Sequence, residues 1–148
     1  VRELFDECAT AGLRMAIVTT TSRSNLQALL AVQVGAGWEA RFAAVVCADD
    51  APVKKPDPQA YRLVLERLQL PAEQTIAIED SAMGLAAATV VGIPVVVTRS
   101  IYFSEDPVPG ALAVGPSLGT RAGWSPGLHG DPGRVGLADI RDWHETRG

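Results

Sequence analysis

Val1, Leu4, Phe5 and Cys8 recur at the i, i+3, i+4, i+7 spacing that gathers apolar side chains on one face of a helix, and Gly12 stops the pattern. Met15-Ala-Ile-Val18 follows, too short for a helix and ending in Thr19-Thr-Thr-Ser22, so it reads as a buried strand. A second helix carries Leu26, Leu29, Leu30 and Val34 on one face, with Gly35 near its end. FAAVVCADD is another short apolar run, closed by Asp49-Asp50. The helical pattern is clearest in VKKPDPQAYRLVLERLQL. There Asp57 can cap the helix, Pro58 suits its first turn, and Tyr61, Val64, Leu65 and Leu68 form the stripe to be buried. Residues 75–78 then read as a strand, 81–91 as an alanine-rich helix ended by Gly92, and 93–98 as a strand.

Strands without alternation, interleaved with helices, predict a parallel sheet covered on both faces: an α/β doubly wound domain. The character changes beyond Asp106, where Gly, Pro and Ser crowd the chain. The expected organisation is a core over 1–106 and a Gly/Pro-rich tail over 107–148, with one weak strand at 111–114 and a short closing helix at 137–144.

A chain of 148 residues with 47% apolar and 20% charged residues is long enough to bury a core and is globular rather than disordered. Its net charge of −4, without any Lys/Arg run, offers no field for nucleic acid, so phosphate chemistry needs a local positive site. No apolar run reaches the length of a membrane span. Cys8 and Cys47 lack metal-ligand spacing and are expected as buried, reduced thiols of a cytoplasmic protein. The opening residue, Val1, already lies in helical pattern, so the chain is expected to be cut from something longer.

In open α/β sheets ligands bind outside the carboxyl ends of the strands. Here those ends deposit Thr19-Thr20, then Asp49-Asp50 with Lys54-Lys55 soon after, then Glu79-Asp80. Hydroxyl, ammonium and carboxylate groups on one rim suit a phosphorylated ligand with a divalent cation. Magnesium prefers carboxylate oxygen. A phosphoryl group takes a lysine, hydroxyls and backbone N–H groups, and a turn entering a helix at Thr20 to Ser22 would supply the last.

Each piece also has a purely structural reading. Adjacent acids commonly cap a helix or face solvent, but Glu79-Asp80 directly follow a buried strand and Ser81 remains available as the cap. Lys54-Lys55 reads equally as a polar loop, with Pro56 keeping Lys55 extended. Thr19 to Thr21 read equally as a strand end, with Ser22 or Ser24 as cap. Asp49-Asp50 is taken as structural, His129 and His144 as surface residues, and Trp38, Trp124 and Trp143 show no binding-box spacing.

MAIVTTTS, then KKPDP, then IAIEDSAMG followed by AAATVVGIPVVVT together resemble the haloacid dehalogenase superfamily of phosphatases. Within it they are most similar to the CbbY-like branch, which includes β-phosphoglucomutase-like and sugar-phosphate phosphatase members. The likeness runs from Val1 to Tyr102. It implies a three-layer α/β/α sheet and magnesium-dependent hydrolysis of small sugar phosphates through an aspartyl-phosphate. It implies that Thr19 hydrogen-bonds the phosphoryl group, helped by the Thr20 amide, and that Lys55 neutralises it. Glu79 and Asp80 would hold Mg2+, Asp80 directly and Glu79 directly or through water.

The family attacks phosphate with an N-terminal Asp-x-Asp motif, and none occurs here. The resemblance therefore implies a chain without the nucleophile strand, which lies between the strands ending in Thr19 and Asp80, and without the helical cap. Such a chain is expected to be the C-terminal part of a larger or split enzyme, inert alone, with a gap or an unfamiliar pairing between those strands. Its partners would be a phosphorylated small molecule and a missing N-terminal segment or complementing chain. A phosphosugar mutase and a non-catalytic phosphate- or metal-binding remnant are the alternatives. A receiver-type signalling domain fits less well, because its acids precede the hydroxyl and lysine, whereas here the acidic pair comes last.

Overall fold

The computed structural model describes residues 1–99, 107–130 and 132–146. The elements follow the order α1 (Arg2–Thr10), β1 (Ala16–Val18), α2 (Arg23–Gln33), β2 (Ala44–Val46), α3 (Gln59–Leu68), β3 (Ala77–Glu79), α4 (Ala82–Val90), β4 (Val95–Thr98), β5 (Ala113–Gly115) and α5 (Leu137–Glu145). Every strand pairing in these sheets is parallel: β1 with β2, β3 with β4, and β4 with β5.

Alternation along β4 builds the layers. Val95 and Val97 join a cluster with Tyr61, Val64 and Leu68 of α3 and with Leu85, Ala87 and Ala88 of α4. Val96, between them, points to the other face and packs with Leu4 of α1 and with Ile140 and Trp143 of α5. Helices thus cover both faces of the sheet, the three-layer α/β/α arrangement expected.

β3 starts two residues later than expected. A single 3₁₀ turn at Ala72–Gln74 takes up the lead-in, and the Thr75 hydroxyl donates to the Ala72 carbonyl at 2.7 Å. The shift puts Glu79 inside the strand, buried, with Ile78 39% exposed on the opposite face. α3 begins at Gln59 with Pro58 in the capping position, yet Asp57 still accepts from the Gln59 N–H at 2.8 Å. Helix α2 departs further: only Leu26 is buried, and Leu29 is 56% exposed.

Two sheets form instead of one. Among the described residues β1–β2 stands apart from β3–β4–β5, so β1 and β3 each keep an edge without a strand partner there. α3 packs against β1 and β2 and also against α4, holding the halves together. The break lies where the resemblance puts the nucleophile strand.

The stretch from residue 107 onward adds β5 to the sheet and α5 to the layer over it. Trp124 and Trp143 stack with ring centroids 4.8 Å apart. Glu7 of α1 accepts from the Leu137 N–H at 2.7 Å and pairs with Arg134, capping α5 from across the fold. Cys47 is fully buried, but Cys8 is only half-buried, packed at the margin of the cluster under α1; both thiols are free. His129 is exposed as expected. His144 is not: it is half-buried, and its Nε2 is shielded from water with no hydrogen-bond partner among the described residues.

Candidate active site

Thr19, Thr20, Lys55, Glu79 and Asp80 line one cavity of about 360 Å³, together with Val18, Lys54, Ser81 and Met83. Five residues named from three separate stretches therefore meet at the carboxyl ends of β1 and β3, beside the break in the sheet. A larger groove of about 550 Å³ lies between α1 and α5. Its acids are already paired, Glu3 and Glu7 with Arg134 and Asp6 with Arg41, which leaves the smaller cavity as the candidate site.

Local structure sets each group. Thr19 directly follows β1, its N–H still bonded to Val46 O at 3.0 Å, and its Oγ1 accepts from the Thr21 N–H at 3.1 Å. The hydroxyl proton stays available to a ligand. The Thr20 N–H meets no acceptor among the described residues, and Ser22 caps α2 by accepting from the Asn25 N–H. Two hydroxyls and a free amide thus open on a helix N-terminus, where anions are favoured.

Lys55 spans the break. Its ammonium donates to the Val18 carbonyl of β1 at 3.3 Å and to Glu79 Oε1 of β3, and it lies 5.0 Å from the centre of the Tyr61 ring. The Tyr61 hydroxyl donates to the same Glu79 oxygen. Burial, and then the Glu79 charge, push the Tyr61 phenol far above its ordinary pKa, so it stays a donor. The other Glu79 oxygen faces Gly84 of α4, where an added Cβ would lie 1.9 Å from Oε2. Ser81 caps α4 by accepting from the Gly84 N–H at 3.2 Å, which leaves Asp80 exposed at the rim.

Among the described residues no three His, Cys, Asp or Glu side chains gather to hold a metal. Magnesium needs only one or two carboxylates when water and substrate phosphate complete its shell. The exposed Asp80 carboxylate in a cavity with a lysine and hydroxyls fits that partial role.

Tyr61 and Gly84 escaped the reading of the sequence, although each left a signal. A tyrosine in an otherwise apolar stripe needs a partner for its hydroxyl, and a glycine inside an alanine-rich helix signals a close approach.

Asp49 and Asp50 do not line the cavity. Asp50 accepts from the Cys47 N–H and thiol, both at 3.0 Å, from Arg23 at 3.1 Å and from Arg67 at 2.7 Å, and Asp49 accepts from the Arg23 N–H at 2.8 Å. The Arg67 guanidinium, followed by the Cys47 thiol, holds the Asp50 carboxyl far below the usual range. A depressed folded-state pKa gives stability that is complete above the ordinary value of about 3.9 and lost as pH falls through the folded one. The urea midpoint should fall steadily between about pH 5 and about pH 2, with a shallower slope in Asp50→Asn. Equal slopes in the two proteins would count against this ion cluster.

A model of the haloacid dehalogenase-like hydrolases matches residues 1–92. CbbY, encoded on a plasmid of Cupriavidus necator, is 45% identical over 148 residues, which cover 97% of this chain and 58% of that protein. A phosphoglycolate phosphatase of Rhodospirillum rubrum is 33% identical over 123 residues, covering 82% of this chain and 49% of that protein. The crystal structure of a CbbY mutant from Rhodobacter sphaeroides in complex with xylulose-(1,5)bisphosphate superposes with a TM-score of 0.71 at 37% identity. It covers 74% of this chain and 48% of that one. The chain spans about half the length of the relatives it matches.

Proposed function

Since the chain belongs to the haloacid dehalogenase-like hydrolases, we propose that it is the phosphate- and cation-gripping part of a magnesium-dependent phosphatase of small sugar phosphates. The observation that carries this reading is the meeting of Thr19, Thr20, Lys55, Glu79 and Asp80 at one cavity beside an open place in the sheet. The Thr19 hydroxyl, the Thr20 N–H and the Lys55 ammonium bind the phosphoryl oxygens and favour the charge that builds on them during transfer. Asp80 would hold magnesium, which when bound would share in neutralising that charge. The nucleophilic aspartate comes from a segment outside this chain that enters as a strand between β1 and β3, and the chain alone is inert. The bisphosphate bound by the Rhodobacter sphaeroides relative supports a phosphorylated sugar as substrate. Two free thiols, with no helix long and apolar enough to cross a membrane among the described residues, support a reducing, cytoplasmic setting.

The test is an assay of phosphate release from small sugar phosphates with magnesium. It uses the chain alone and the chain joined to the N-terminal segment of the intact protein. No turnover alone and turnover on joining is the expected pair of results, with Asp80→Asn abolishing the second. Turnover by the isolated chain would defeat the assignment of the nucleophile to another segment. A product that keeps its phosphate on another carbon would identify a mutase.

A further inference from the structure

We infer that Tyr61 is a positioning residue of this site, fixing Lys55 through Glu79. The inference rests on the phosphatase reading above and adds a residue to it. Lys55 has three N–H donors. One goes to Val18 O and one to Glu79 Oε1, which leaves the third for the cavity.

That geometry holds only while the Glu79 carboxylate stays in place, and the Glu79 side chain is free to rotate unless something pins it. Tyr61 pins it. The phenol is buried at 4% exposure on α3 and donates to the same Oε1 that the ammonium uses, while its ring sits beneath Nζ at 5.0 Å. One side chain thereby touches both members of the pair, by a charge-assisted hydrogen bond and by a cation–π contact.

Gly84 closes the other side. Its missing Cβ is the space that Glu79 Oε2 fills, so the carboxylate is clamped between α3 and α4. Glu79 is thereby held against Lys55 at the wall of the cavity, and the exposed Asp80 is the member of the acidic pair offered to a cation. Tyr61 itself touches neither phosphate nor metal.

The readout is hydrogen exchange of the lysine ammonium groups, followed by 1H–15N spectroscopy of the full chain, and it requires neither metal nor turnover. In the wild type the Lys55 ammonium should give a slowly exchanging signal, whereas the exposed Lys54 ammonium, with no partner among the described residues, should give none. Tyr61→Phe keeps the ring and removes only the hydroxyl. It should speed Lys55 exchange by roughly tenfold, the factor implied by losing a charge-assisted bond to the shared carboxylate, with backbone amides of α3 unchanged.

Gly84→Ala supplies an independent arm. Alanine favours a helix interior, so a merely structural glycine would leave Lys55 as it was, whereas expulsion of Glu79 abolishes its slow signal. Unchanged Lys55 exchange in either variant would overturn the inference. Because the signal does not depend on activity, failure of the phosphatase assay and failure of the clamp are separable.

Discussion

Replacing Lys55 by methionine is expected to lower the unfolding free energy by about 3 kcal/mol while removing one of the two lysine ammonium groups that line the cavity. The size follows from burial. The side chains of Lys55 and Glu79 are only 12% and 8% exposed, so removal of the ammonium leaves a buried carboxylate with Tyr61 as its remaining donor. The substitution keeps the length of the aliphatic stem, so the loss reports charge more than packing. Urea titration would measure it, with Lys54→Met as the control expected to stay within about 0.5 kcal/mol. The double substitution Lys55→Met with Glu79→Gln should recover part of the loss, because a neutral amide does not need a counter-charge. If Lys55→Met matched Lys54→Met in stability, the ion pair across the sheet break would not be a structural feature of the protein.

Trp143→Ala is the second large effect, expected to destabilise by about 4 kcal/mol in one cooperative transition. Trp143 is 5% exposed on α5, stacks on Trp124 and packs with Leu4 from the first helix and Val96 from the middle of β4. Truncation would open a cavity at a place where the beginning, middle and end of the chain meet. The prediction is a single transition at lower denaturant, seen alike by far-ultraviolet circular dichroism and by the fluorescence of Trp38, which lies elsewhere. An early transition confined to the Trp124 signal, with Trp38 unchanged, would mean that the segment after residue 107 melts as a separate unit.

The periodic patterns were legible because they are local. The run 59–68 shows its buried face through the spacing of Tyr61, Val64 and Leu68, and the caps at Ser22 and Ser81 lie beside the helices they serve. The site was legible for a related reason. In open α/β folds binding groups gather beyond the carboxyl ends of the strands, so the polar residues placed after Val18 and Ile78 line one cavity although β1 and β3 lie in separate sheets. Less readable was α2, whose leucine spacing predicts a buried stripe although Leu29 faces solvent. Periodicity reports which residues share a face; whether anything covers that face depends on other elements. The Gly/Pro-rich stretch was also underestimated, since composition gives no hint that Trp124 and Trp143 stack or that Glu7 would cap α5.

What the sequence determined by itself was the order of helices and strands, the parallel sheet they compel and the polar set at its edge, because all of these follow from spacing along the chain and the handedness of its connections. Tertiary structure alone decided that the sheet divides between β1 and β3, that Lys55 bridges the division, and that Tyr61 and Gly84 hold Glu79 while Asp80 stays exposed. Those outcomes depend on which buried donor finds which acceptor across segments distant in sequence, a matter settled by distance and desolvation after the layers have packed.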